Sequence, residues 1–332
     1  MKAFYENEFK KTVETIKQLK TDGCLCFNLI TDSHIFSFTE PEPSGHMYDF
    51  ENIEALNKAV DIDCLFHLGD LMWFMKNYWT EEKTVAFLTE ARDNLLACNK
   101  NCYFVAGNHD GTNSHPPVEK QWYDIFVAYQ KNNLSSFKEG KPYYSVDFNK
   151  QKLRVVSLMS CYQDGENKPY GWHKEQIDWL TETLLSTPDD YKIILLTHIN
   201  PIDGDKRCEN KDEFIGYLNA YEKGEEFKSD AFSADFTGKS TAKIILMFAG
   251  HTHYDRILNQ KALPFPVIER ACNRLHEINK GDGWGERENG FSPRRTPETE
   301  TADLWDTVIY NPEKSTMDFV RFGAGEDMHI QL

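Results

Sequence analysis

Five times along the chain, an apolar run of strand length ends on residues able to bind a metal ion. CLCFNLI (24–30) leads to Asp32 and His34, CLFHL (64–68) to Gly69 and Asp70, and CYFVA (102–106) to Gly107, Asn108, His109 and Asp110. KIILLT (192–197) ends at His198, and KIILMFA (243–249) at Gly250, His251, Thr252 and His253. The last two runs are apolar without alternation, the pattern of strands covered on both faces. In an α/β sheet the carboxyl ends of such strands converge on one crevice, which is where ligands bind. Taken singly, each cluster has an ordinary explanation as turn, packing or surface residues. Five together predict one polar site. Its imidazole, carboxylate and amide-oxygen donors suit borderline divalent ions such as Zn, Mn, Fe or Co.

The segments between these runs read as helices and further strands. Phe9, Val13 and Ile16 recur at helical spacing, a helix is predicted over 50–60, and Thr80 with Glu81 and Glu82 is an N-cap followed by an acidic first turn. That third helix presents Val85, Leu88, Ala91 and Leu95. Residues 143–148 and 153–159 read as a hairpin, followed by a helix over 173–185. A polar, helix-compatible insertion occupies 203–240 and is a candidate lid or subunit contact, which would make the chain a homo-oligomer. The strand candidates RIL, PFPVIE, LWDTVIY and TMDFVRF then follow, broken by a polar stretch over 273–302 that exceeds an ordinary connection. The chain reads as a single domain over 1–332. Its motif core is about 24–260, and 255–332 contributes C-terminal strands and the long loop; a division near residue 255 is the alternative.

Charge and cysteine usage narrow the setting. With 37 Lys+Arg against 53 Asp+Glu the formal charge is −16, and no basic block relieves it, so binding to a nucleic-acid polymer is not expected. No stretch approaches the roughly 18 to 20 continuous apolar residues that a membrane span needs, and the N-terminus has no secretory pattern. The eight cysteines form no CxxC and mostly lie in or beside apolar runs, which reads as reduced, buried and cytoplasmic.

The ordered set DxH (Asp32 to His34), GD (Gly69, Asp70), GNHD (Gly107 to Asp110), a lone histidine after a strand (His198) and GHTH (Gly250 to His253) resembles that of the calcineurin-like metallophosphoesterases. The resemblance implies a four-layer α/β/β/α sandwich of two mixed sheets flanked by helices, holding two divalent ions. Asp32, His34 and His253 would bind the first ion and Asn108, His198 and His251 the second, with Asp70 bridging them. It further implies hydrolysis of a small phosphorylated substrate, a phosphodiester or phosphomonoester, by attack of metal-bound hydroxide. His109 would serve as proton donor to the leaving group, and Asp110 would orient a neighbour. A nucleotide-diphosphate hydrolase is the alternative, and a non-catalytic metal-binding scaffold the remote one.

Departures from better-known branches narrow the resemblance. Protein phosphatases of the family carry GNHE with added arginines, whereas this chain has GNHD; purple acid phosphatases have a tyrosine where this chain has Trp73, so no tyrosinate colour is expected. What remains is similar to hydrolases of cyclic nucleotides and glycerophosphodiesters, and GWHKEQIDWL (171–180) is similar to a helix start of that branch. Trp73, Phe74, Tyr78, Trp79, His46, His115, Arg294 and Arg295 are the candidate substrate contacts.

Overall fold

The computed structural model describes residues 1–35, 49–73, 78–111, 118–161, 170–258, 261–273, 285–287 and 290–332. His46, Phe74 and His115 lie outside them. Two large sheets organise these residues. In the first, β1 (Leu25–Ile30), β2 (Cys64–His67) and β3 (Cys102–Phe104) run parallel. The second is built on β4 (Ser136–Phe137), β5 (Tyr144–Phe148), β6 (Leu153–Ser157), β7 (Lys192–Leu196) and β8 (Lys243–Ala249). Here β6, β7 and β8 are parallel, while β4, β5 and β6 form antiparallel pairs.

The C-terminal segment completes both sheets. β9 (Arg256–Leu258) and β10 (Val267–Glu269) extend the second, giving the order β9-β10-β8-β7-β6-β5-β4. β11 (Leu304–Asn311), β12 (Thr316–Gly323) and β13 (Met328–Gln331) extend the first, giving β13-β12-β11-β1-β2-β3. The β11 strand lies antiparallel to β1, with Leu25 opposite Tyr310. The sequence signal stops at β12; β13 is a four-residue edge strand, too short for its alternation to stand out.

Why the strands are apolar throughout follows from the layers. Alternate residues of β1 separate: Leu25, Phe27 and Leu29 pack between the sheets against Ile194, Leu196 and Phe248, while Cys26 and Ile30 pack against helices. The helices on that side are α1 (Glu6–Leu19), α2 (Asp49–Ala59) and α3 (Glu81–Cys98), which bury Ile16, Leu56, Leu88 and Leu95. The Thr80 side chain caps α3 by accepting the Lys83 N–H, as its sequence position predicts. On the far side, α4 (Lys174–Leu185) and α5 (Lys211–Lys223) bury Ile177, Leu180, Phe214 and Tyr217 against Ile193, Leu195 and Met247. The result is the expected α/β/β/α order. Within the 203–240 insertion, α5 is followed by a hairpin of Glu226–Lys228 with Ser233–Asp235.

A buried ionic network fastens the C-terminal strands to the region beyond β8. Asp306 accepts from Arg270 Nε at 2.7 Å and Arg321 Nε at 2.9 Å, and Arg321 Nη2 also donates to Asp255 at 3.0 Å. Asp306, Arg270 and Arg321 are buried. Removing one partner from such a set leaves uncompensated charge, so Asp306→Ala is expected to lower unfolding free energy by about 3–5 kcal/mol. The urea denaturation midpoint measures this; an unchanged midpoint would show that the network contributes nothing.

Candidate metal centre

The sequence-predicted residues arrive from both sheets at one crevice. Asp32 and His34 follow β1, Asp70 follows β2, and Asn108 and His109 follow β3; His198 follows β7, and His251 and His253 follow β8. Asp32, His34, Asp70 and His198 form a buried floor, whereas Asn108, His109, His251 and His253 are half-buried towards the mouth. Backbone bonds stitch the loops together. The Asp32 N–H donates to the Gly69 carbonyl at 3.0 Å and the His34 N–H to that of Asp70 at 2.9 Å. Across the sheets, the His251 N–H donates to Asp32 Oδ2 at 3.0 Å.

These loops turn sharply. Asp32, His34, Asp70, His251 and His253 all have φ between 45° and 70°, a left-handed conformation uncommon outside glycine. Such strain persists where surrounding structure enforces it, and it clusters at functional sites. Close approach also requires the glycines. A Cβ on Gly107 would stand 2.1 Å from the Asp70 nitrogen, and one on Gly250 2.1 Å from Thr31 Oγ1.

Three overlapping groups of donor atoms result, each with all members within 4.8 Å: His34, His253 and Cys272; His34, Asp70 and His109; Asp70, His198 and His251. Their hydrogen bonds test whether a cation fits. His34 Nδ1 lies 3.2 Å from the Met72 carbonyl and His198 Nδ1 2.8 Å from that of Leu68. An imidazole facing a carbonyl must donate there, so in the neutral ring Nε2 carries a lone pair directed inward. Nε2 of His34 and Nε2 of His253 are 3.2 Å apart. Asn108 Oδ1, itself an acceptor, lies 3.1 Å from His198 Nε2 and 2.8 Å from His251 Nδ1. Ring nitrogens thus meet one another, Asn108 Oδ1 and the buried Asp70 and Asp32 carboxylates, an arrangement that calls for positive charge, which a divalent cation would supply.

The titration tendencies carry the same message. Burial alone would raise Asp70, yet His198, His109 and His34 hold its carboxyl well below the usual range. Against its own burial, His198 is driven up to about 9 by Asp70 and Asp32. Burial depresses His109, with the Asp70 charge pulling the other way.

The remaining predicted residues fall into place around this centre. The His109 ring is 32% exposed, with Nε2 3.8 Å from Asp70 Oδ2, and its backbone N–H donates to Asp70 Oδ1 at 2.8 Å. Asp110 is fully buried and accepts from the backbone N–H groups of Asp70, Gly107 and Met72 at 2.9, 2.9 and 3.0 Å. It thereby holds the GD and GNHD loops in register. Trp73 packs edge-on against His34, and buried Trp79 donates to the Trp73 carbonyl. Tyr78 is on the surface beneath Lys83. Arg295 is buried with its guanidinium on the Cys272 and Ala302 carbonyls, so it is a structural residue rather than an anion contact. Arg294 is exposed.

Four residues escape sequence reasoning. Asp205 Oδ2 lies 3.5 Å from His251 Nε2, opposite the nitrogen that faces Asn108. Buried Glu269 accepts from Asn200 and from Thr252 at 2.7 Å, joining the loops that carry His198 and His251. His67, kept neutral by burial with its pKa pushed down to about 3, meets Ser33 Oγ at 2.9 Å and supports the DxH turn. The fourth, Cys272, sits beside His253. None follows a strand run in a recognisable motif, so only tertiary proximity finds them.

Comparison with known proteins agrees with this geometry. The family model for calcineurin-like phosphoesterases matches residues 27–255. The chain is a calcineurin-like phosphoesterase. It is therefore a hydrolase acting on phosphoric esters. Among solved structures, a purple acid phosphatase from yellow lupin seeds matches with TM-score 0.50 and 12% identity, over 93% of this chain and 54% of that one. A putative 5′-nucleotidase from Staphylococcus aureus matches at 0.41 and 12%, over 93% and 54% respectively. A phosphopantetheinyl hydrolase from Mycobacterium tuberculosis matches at 0.37 and 14%, over 76% and 91%. This phosphoesterase thus spans about half the length of the lupin enzyme, and that likeness is one of fold. No curated protein matches. No helix among the described residues is long and apolar enough to cross a membrane.

The glycine contacts give a direct check. Gly107→Ala places a methyl against Asp70 backbone that cannot yield, so metal retained after dialysis is expected to fall at least about tenfold in affinity. Gly238→Ala, where an added methyl meets nothing, is expected to retain the wild-type content. Equal metal in both variants would contradict the packing account.

Proposed function

We propose that this phosphoesterase hydrolyses a small phosphodiester or phosphomonoester, diesters being favoured, with two divalent cations in the crevice. Asp32, His34 and His253 would hold the first, Asn108, His198 and His251 the second, and Asp70 would be shared between them. The observation that carries this reading is the convergence of ligand atoms: His198 Nε2 and His251 Nδ1 both face Asn108 Oδ1, at 3.1 and 2.8 Å. When bound, the cations supply Lewis acidity, neutralising phosphoryl oxygens and acidifying a water molecule.

The protein's own groups do the rest. Asp70 and Asp32 offset the cationic charge. Asp205 orients His251 through the ring nitrogen that faces away from the centre, as a carboxylate partner of a ligating histidine does. His109, at the mouth and anchored through its backbone to Asp70, would pass a proton to the departing alkoxide. Asp110 is a positioning residue, since all three of its bonds go to backbone. Tyr170, buried beneath Arg207 stacked 4.6 Å over its ring, packs 6.2 Å from the His251 ring and would support that histidine from behind. A cytoplasmic setting is supported by eight buried cysteines, none of them in a disulfide among the described residues.

Turnover of bis-p-nitrophenyl phosphate by protein loaded with Mn, Zn, Fe or Co tests the reading. Hydrolysis that a chelator abolishes is the expected result, and inactivity with all four metals contradicts it. His109→Ala is expected to retain metal while losing about 10²- to 10⁴-fold in rate, most on esters with poor leaving groups. Loss of metal in that variant would make His109 a structural residue instead.

A further inference from the structure

Cys272 stands where no strand-end motif would put a ligand. Its thiol shares a donor group with His34 and His253, all three donor atoms lying within 4.8 Å of one another. Cys272 is 5% exposed, and its Sγ lies 3.0 Å from the Asp32 carbonyl oxygen, beside the same centre. A cation bonded to sulfur at about 2.3 Å and to nitrogen at about 2.1 Å at tetrahedral angles separates such atoms by about 3.6 Å, so a side-chain adjustment of up to roughly an ångström brings them onto one ion.

The thiol is also held in place from the backbone. The Ala271 N–H donates to Asp255 Oδ1 at 3.0 Å, and Arg295 Nη1 donates to the Cys272 carbonyl at 3.0 Å. The Asn273 N–H donates to the Thr31 carbonyl at 3.0 Å, one residue before Asp32. Asp255 is in turn fixed by Arg270 and Arg321. Three consecutive residues are therefore pinned by three independent partners, which aims the sulfur at the His34–His253 pair without a flexible loop.

Resting on the metal reading above, we infer that Cys272 is a further ligand of the first cation, and that this position consequently selects a thiophilic ion, zinc, cobalt or iron, over manganese or magnesium. Thiolate donors favour such ions, whereas carboxylate and water suit the harder ones. The thiol releases its proton to solvent as the cation binds. The two positions thereby differ in chemistry: nitrogen, oxygen and sulfur at the first, nitrogen and oxygen alone at the second.

Anaerobic titration of the metal-free full-length protein with Co(II), followed by absorption and by counting bound cobalt, decides this. The wild type is expected to develop a near-ultraviolet sulfur-to-cobalt charge-transfer band. Cys272→Ser is expected to bind cobalt without that band, and Cys24→Ser to keep it. Zinc affinity at the first position is expected to fall at least about tenfold in Cys272→Ser, with manganese affinity nearly unchanged. Two cobalt ions bound to wild type without the band, or a band that survives in Cys272→Ser, overturns the assignment and leaves the dinuclear reading standing. Failure of wild type to bind any cobalt overturns both. Should Cys272→Ser not fold, the wild-type spectrum still decides, because no other cysteine joins a donor group among the described residues.

Discussion

Asp70 lies at the floor of the crevice with its carboxylate removed from water. Burying an ionised group costs several kcal/mol unless its charge is met, and here it is met from every side. Its Oδ2 lies 3.3 Å from His198 Nε2, 3.7 Å from His34 Nε2 and 3.8 Å from His109 Nε2, while its Oδ1 accepts the His109 N–H. Two sheets must therefore deliver their strand ends to within hydrogen-bond reach of one carboxylate. The left-handed turns at Asp32, His34, Asp70, His251 and His253 are the local cost of that convergence. The glycines at 107 and 250 supply the clearance.

The remainder of the fold can be understood as support for that meeting. Strand registers bring β1, β2 and β3 to one edge and β7 and β8 to another, and bonds such as His251 N–H to Asp32 close the gap between sheets. A second tier of carboxylates works from behind. Asp110 ties backbone to backbone, Glu269 joins the Asn200 and Thr252 loops, and Asp306 with Asp255 anchors the C-terminal strands. Much of the acidic excess that sets the chain's net charge lies elsewhere on the surface, but these few carboxylates are inside and are matched by arginines or N–H groups. An acidic protein can in this way hold a locally cation-seeking crevice.

The strand ends were legible in the sequence for a physical reason. Strands covered on both faces are apolar throughout, so the polar residues just after KIILL and KIILMFA stand out against them. Thr80 was legible as a cap because its function is local, carried out three residues away. Asp205, Glu269, His67 and Cys272 were not, because each acts on a partner remote in sequence, across 46, 17, 34 and 19 positions in turn. Arg295 misled for the same reason: a loop arginine next to another arginine reads as surface, and only the fold shows its guanidinium enclosed by two carbonyls. Sequence reasoning also gave Asp110 a site role; its contacts run to the backbone N–H groups of Asp70, Met72 and Gly107.

Anomalous X-ray scattering from crystals of the metal-loaded protein tests the central claim most directly. Two peaks about 3.5–4 Å apart are predicted, with Asp70 between them. One peak should lie against Asp32, His34 and His253, the other against Asn108, His198 and His251. A single peak, or peaks away from these side chains, would contradict the account.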